Sequence, residues 1–130
     1  VSLIDDIGEY LEDNSIGTFG TDIFTSGFEK IVSNCITLFN QGGAPPFRTA
    51  TGDCTIYYHE LGVQVRNVDD ATAYSKSKSI IYLLDGICNV VIESTEIISI
   101  EAINSDPLYL GQDENDRFIY SSNFTLMIEV

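Results

Sequence analysis

Hydrophobic positions near the start of the chain recur at helical spacing. Leu3, Ile4, Ile7, Tyr10 and Leu11 form one stripe, the i, i+3/i+4, i+7 pattern of an amphipathic helix. Ser2 stands where an N-cap belongs, and Asp5 and Asp6 fall in the first turn, where the helix dipole favours carboxylates. Glu9, Glu12 and Asp13 fall on the wet side. Gly8 costs such a helix about 1 kcal/mol relative to Ala, so packing rather than propensity must hold it. A second stripe, Ala73, Ser77, Ile80, Ile81, Leu84 and Ile87, predicts another helix. Asp69 is placed to cap it and Asp85-Gly86 to stop it, the glycine taking a left-handed conformation.

The remaining pattern is that of strands. Asp22 to Thr25 and Asn34 to Asn40 read as two short ones, with a turn at Ser26-Gly27. Gln41 to Asp53 reads as a long loop, because Pro45 and Pro46 cannot donate to a ladder. Thr55 to Asn67 follows as a long strand. Tyr57, His59, Leu61, Val63 and Val65 share one face unless Gly62 introduces a bulge, and Gln64 and Arg66 take the other. Asn89 to Glu93 and Glu96 to Asn104 predict a hairpin turning at Ser94-Thr95. Ser105 to Asp116 reads as irregular, with Pro107 and the acidic tip Asp113-Glu114-Asn115-Asp116. Arg117 to Glu129 alternates, Phe118, Tyr120, Phe124, Leu126 and Ile128 against Ser121, Asn123 and Thr125. The order predicts an α+β domain spanning 1–130: a mostly antiparallel sheet with two amphipathic helices packed on one face. The opposite sheet face is left to meet water or another subunit.

Composition narrows the function. The chain has 130 residues, enough for one domain with a real core, and 44% of them are hydrophobic. Six Lys and Arg stand against twenty Asp and Glu, a net charge of −14. Such a surface repels phosphate backbones within a Debye length of about 8 Å, and it disfavours docking on anionic bilayers. No run approaches the length of a membrane span, and the opening Val-Ser-Leu-Ile-Asp-Asp lacks a signal peptide's basic region and an initiator Met. Cys35, Cys54 and Cys88 cannot all pair within one chain and are expected as reduced thiols, Cys35 and Cys88 buried.

Catalytic chemistry is thin. There is one His, no Gly-rich phosphate loop and no HExxH. Cys54 and His59 sit five residues apart on one expected strand, on opposite faces and more than about 15 Å apart by strand rise. His59 reads as a half-buried histidine. The tip at 113–116 lacks the spacing of an EF-hand loop and reads as a solvated turn. Neither a metal nor a cofactor is implied. The scarce cations, Lys30, Arg48, Arg66, Lys76, Lys78 and Arg117, would be the groups that set register across an oligomer interface.

Four segments carry a resemblance. "LIDDIGEYLEDNSIGTFGTDIF" at 3–24, the Gly-Gly-Ala-Pro-Pro turn at 42–46, "GVQVRNVDDATAYSKSKSIIYLLDGI" at 62–87 and "DPLYLGQDENDRFIYSSNFTLMIE" at 106–129 occur in this order. Together they resemble the tail terminator, or minor capsid, proteins of long-tailed phages of Gram-positive hosts. The resemblance implies a virion protein of the head–tail junction, assembled in the host cytoplasm. It implies a homo-oligomeric, hexameric ring on the head-proximal end of the tail tube. That ring would stop tube polymerisation and join the tail tube protein to the head completion or connector protein. It implies a sheet near the lumen, helices outward, DNA passing without specific binding, and no catalytic residue. Loop length and charge place assembly contacts at Phe47 and Arg48, with Arg66, and at Asp113, Glu114, Asp116 and Arg117. A monomeric acidic module mimicking DNA charge is the alternative, and would carry a contiguous stripe of carboxylates. An enzyme with an unrecognised site would need a deep pocket with convergent polar groups.

Overall fold

The computed structural model describes residues 3–25, 33–45, 47–48 and 54–129, with the side chains of Arg48, Cys54 and Thr55 outside that description. The Ser2 cap, the Ser26-Gly27 turn, Lys30 and residues 49–53 of the expected loop also lie outside it. Helix α1 spans Leu3–Asp13 and α2 spans Asp70–Leu84. The strands are β1 (Ile23–Phe24), β2 (Cys35–Asn40), β3 (Phe47–Arg48), β4 (Cys54–Asn67), β5 (Cys88–Ile92), β6 (Thr95–Ala102), β7 (Leu108–Gln112) and β8 (Phe118–Glu129). They form one sheet in the order β1-β2-β4-β8-β6-β5, with β3 paired to β4 and β7 to β8. All pairings are antiparallel except β1 with β2. The fold is the expected α+β one.

The alternation in β4 and β8 decides the layering. The two strands pair without a break from Ile56↔Glu129 to Asn67↔Phe118. That register puts Leu61, Val63 and Val65 beside Phe124, Ser122 and Tyr120 on one face. Leu38, Ile80, Ile81, Leu84, Ile100 and Leu126 join them in the core, with Ile7 and Leu11 of α1. Small buried residues, Ala73 and Ser77 on α2 and Ser122 on β8, let this helix lie close to the sheet. The Asp69 carboxylate caps α2 by accepting from the Thr72 N–H at 3.0 Å, and Gly86 follows with φ +88°.

Several expectations need correcting. Gly62 makes no bulge: its pairings with Phe39 and Asn123 are in register, and the Gln41 side chain lies over it instead. The start of the stretch read as a loop is tied to β4. Gln41 N–H donates to Glu60 O at 2.9 Å, Glu60 N–H donates to Gly42 O at 2.8 Å, and Phe47 pairs with Ile56. The segment read as irregular contains β7, which runs along β8 with Leu110 as the extra residue between Tyr109↔Tyr120 and Gly111↔Ile119. The β5–β6 hairpin turns one residue early, at Glu93-Ser94, with Glu93 at φ +51°. Cys35 is buried, but Cys88 is exposed, because β5 is an outermost strand. Asp6 lies in the first turn of α1, as expected, and has a further role. It is 1% exposed and accepts from the Ser94 and Thr95 hydroxyls at 3.0 and 2.6 Å, fastening α1 to the hairpin.

Candidate assembly surfaces

The acidic tip is built by one of its own carboxylates. Asp113 accepts from the backbone N–H of Asn115 and of Arg117, each at 3.0 Å, and from Arg117 Nε at 2.8 Å. Its Oδ2 also lies 3.8 Å from Arg66 Nη1. Burial works against ionisation of Asp113, but the N–H groups of Arg117 and Asn115 and the Arg117 guanidinium outweigh it. They hold the carboxyl below its ordinary range. Arg66 and Arg117 are 5% and 6% exposed, so both cations are spent within the fold rather than offered to a partner. Glu114 and Asp116 remain exposed on the turn, which Asp116 closes at φ +57°.

The expected assembly residues therefore fall into two groups. Arg66, Asp113 and Arg117 meet at one end of the sheet, with Glu114 and Asp116 beside them. Phe47 and Arg48 lie at the other end, where Phe47 pairs with Ile56 and is 53% exposed. Ile56 and Arg66 are ten positions apart on one strand, roughly 33 Å by strand rise.

The face opposite the helices is mixed, with Tyr58 beside Met127, and it carries four carboxylates. Glu60 and Glu101 flank Thr125 from the two neighbouring strands, and Glu96 lies directly opposite Glu129. All four carboxylates are exposed. Neither β6 nor β8 contains a Lys or Arg, and in β4 none occurs before Arg66. The sequence reading missed these four residues. Each occupies a polar position in its own strand, and only the register gathers them.

Near α2 the surface is aromatic and hydrogen-bonded. Tyr120 OH donates to Asp70 at 2.7 Å, and this bond, with burial, pushes its pKa up to about 12. Asp106 accepts from Tyr74 OH at 2.7 Å and Lys78 Nζ at 2.8 Å. Clefts among the described residues have volumes of about 210, 140 and 230 Å³, below the roughly 300–1,000 Å³ usual for small-molecule sites. His59 is half-buried, 6.3 Å from the Tyr57 ring. Among the described residues no three His, Cys, Asp or Glu side chains gather to hold a metal ion.

A family model for bacteriophage tail terminator proteins matches residues 10–130. The chain belongs to the bacteriophage tail terminator family. It is the family that the sequence segments resemble. Among solved structures, this terminator chain is similar to a chain of the virion of a native gene transfer agent particle. The two are 12% identical over 100% of both chains, with a TM-score of 0.65. A second solved chain is 12% identical over 97% of this one and 88% of its own length, with a TM-score of 0.52. At such identities the likeness is one of fold. No curated protein matches the chain.

Proposed function

We propose that copies of this chain close into a ring, six to a turn, on the head-proximal end of the phage tail tube. The ring stops tube polymerisation and presents a joining surface to the head completion or connector protein. The role is structural, without catalysis, and its site is the head–tail junction of the virion, reached by assembly in the host cytoplasm. One observation carries this reading beyond family membership: the sheet face bearing Glu60, Glu96, Glu101 and Glu129, where the one Lys or Arg that β4, β6 and β8 carry is Arg66, at the far end of β4 and held by Asp113. Turned toward the bore, such a face repels a passing duplex within about a Debye length and gives it nothing to grip. The sheet is then the inner layer and the two helices the outer one. The ends of β4 and β8 bear the two groups of assembly residues, Phe47 with Arg48 at one end and Glu114 with Asp116 at the other.

Tail length tests the capping role. Phage made without the protein should yield tubes that run past the normal length in electron micrographs, and purified protein added during assembly should restore one length. Tubes of normal length in its absence would remove the capping role.

A further inference from the structure

A surface helix usually turns a polar side to water, and α2 departs from this. Ala73, Ser77, Ile80, Ile81 and Leu84 take its buried side. Asp70, Tyr74, Lys78 and Tyr82 follow one another at every fourth position beside that stripe, and Tyr74 and Tyr82 are exposed. The neighbouring sheet edge adds two more rings. Tyr109 of β7 pairs with Tyr120 of β8, and their rings lie 5.2 Å apart. The Tyr120 ring in turn meets Tyr74 edge-on at 5.7 Å. Tyr109 is 49% exposed, so the run of three rings opens to solvent.

Carboxylates are set among these rings. Tyr120 OH donates to Asp70 and Tyr74 OH to Asp106, each at 2.7 Å, and both aspartates are exposed. The surface already holds one cation. Lys78 Nζ lies 2.8 Å from Asp106 and 5.3 Å from the centre of the Tyr82 ring, the pairing of a cation with an aromatic face. Asp70 stands beside rings in the same way, yet among the described residues no Lys or Arg pairs with it. A second copy is a poor source of that cation. Arg66 and Arg117 are buried against Asp113, Lys76 is bonded to the Ile16 carbonyl at 2.9 Å, and Lys78 is part of the surface itself. A copy also carries the same net charge of −14, so the two repel on approach.

We propose that Tyr74, Tyr109 and Tyr120, with Asp70, form a docking surface for an arginine side chain presented by a different protein. A guanidinium lies flat on a tyrosine ring while its N–H fork meets a carboxylate. An ammonium brings a point charge without the planar stack. A basic partner is drawn toward a chain of net charge −14 before contact, and the rings then select where its arginine settles. The surface belongs to one copy of the chain, so the inference goes beyond the ring and does not rest on it.

Binding measured at constant protein charge tests the surface. The probe is a blocked hexapeptide of alternating glycine and arginine, titrated into the purified full chain at low salt. Amide NMR shifts should gather around Tyr74, Tyr109 and Tyr120. Tyr74→Leu combined with Tyr109→Leu leaves the net charge unchanged and should weaken binding about tenfold. Asp70→Asn keeps an acceptor for Tyr120, and should also weaken binding while the melting temperature holds. A lysine peptide of equal charge should bind the wild-type chain several-fold more weakly than the arginine peptide. Undiminished binding to both variants, with shifts spread over Glu60 and Glu101, would reduce the effect to bulk charge attraction and overturn the site. Equal affinity for the lysine peptide would overturn the guanidinium assignment. Self-association of the wild-type chain that the double substitution removes would give the surface to a second copy instead.

Discussion

Gly8 shows how a single position resolves against its propensity. In an isolated helix Gly→Ala would gain about 1 kcal/mol. In this fold a Cβ at residue 8 would overlap the Phe19 ring, which lies flush on the helix backbone. Forcing a methyl group into packed space costs about 1–3 kcal/mol. Gly8→Ala is therefore expected to destabilise the protein by that amount in urea denaturation, and a gain in stability would show that Phe19 moves aside freely. The sequence alone indicates that packing must hold this glycine, since nothing local favours it. It cannot name Phe19, which arrives after a turn. Asp6 is the opposite case. Its place in the first turn suggests a dipole role, whereas its hydroxyl partners, Ser94 and Thr95, come nearly ninety positions later. A long-range polar contact leaves no periodic trace, so no pattern reading finds it.

Among the elements, the long periodic ones are legible and the short edge pieces are not. α1, α2, β4 and β8 present one apolar stripe each; Ile7, Leu11, Ile80, Ile81, Leu84, Leu61, Val63, Val65, Phe124 and Leu126 of the expected inner residues enter the core, while Tyr57, His59, Phe118 and Tyr120 stay half-buried toward the strand ends. β3 has two residues beside a proline pair, and β7 reads Leu-Tyr-Leu-Gly-Gln, with a bulge that breaks its alternation. Neither buries a face regular enough to leave a period of two. The join between α1 and the β5–β6 hairpin also predicts a pH response. Glu9 raises the pKa of Glu93, with burial and Asp13 adding to the effect. The folded state therefore holds the Glu93 proton better than the unfolded chain. That contribution to stability is present at low pH and is lost as pH rises through the raised value. Asp69, Asp106 and Asp113 are shifted the other way, by hydrogen bonds from Thr72, from Lys78 and Tyr74, and from Arg117 and Asn115, the last against burial. Their contribution is present above the ordinary aspartate value of 3.8 and is lost as pH falls through the lowered values. The melting temperature should rise on mild acidification from neutral pH and then fall in strong acid. Glu93→Gln should flatten the rise and leave the fall. An unchanged rise in that variant would place the proton uptake elsewhere.

For the molecule as a whole, charge is the property the sequence states most plainly and the fold organises most usefully. Twenty carboxylates against six cations argue against a grip on nucleic acid by composition alone, but they do not say where the acid lies. The register answers that by gathering Glu60, Glu96, Glu101 and Glu129 on the sheet face that the helices leave uncovered. The cations divide just as unevenly. Arg66 and Arg117 fasten the β7–β8 tip and Lys78 holds Asp106, while Arg48 stands on an edge strand. Family membership was within reach of the sequence because short segments along its length keep their order. The assembly geometry was not, because edges and rows exist only once strands pair. The decisive measurement is a reconstruction of the intact head–tail junction. The account predicts a closed ring of this chain seated on the last layer of tube, with Glu60 and Glu101 lining the bore. Finding the chain away from that junction, or seated there with those carboxylates turned outward, would contradict it.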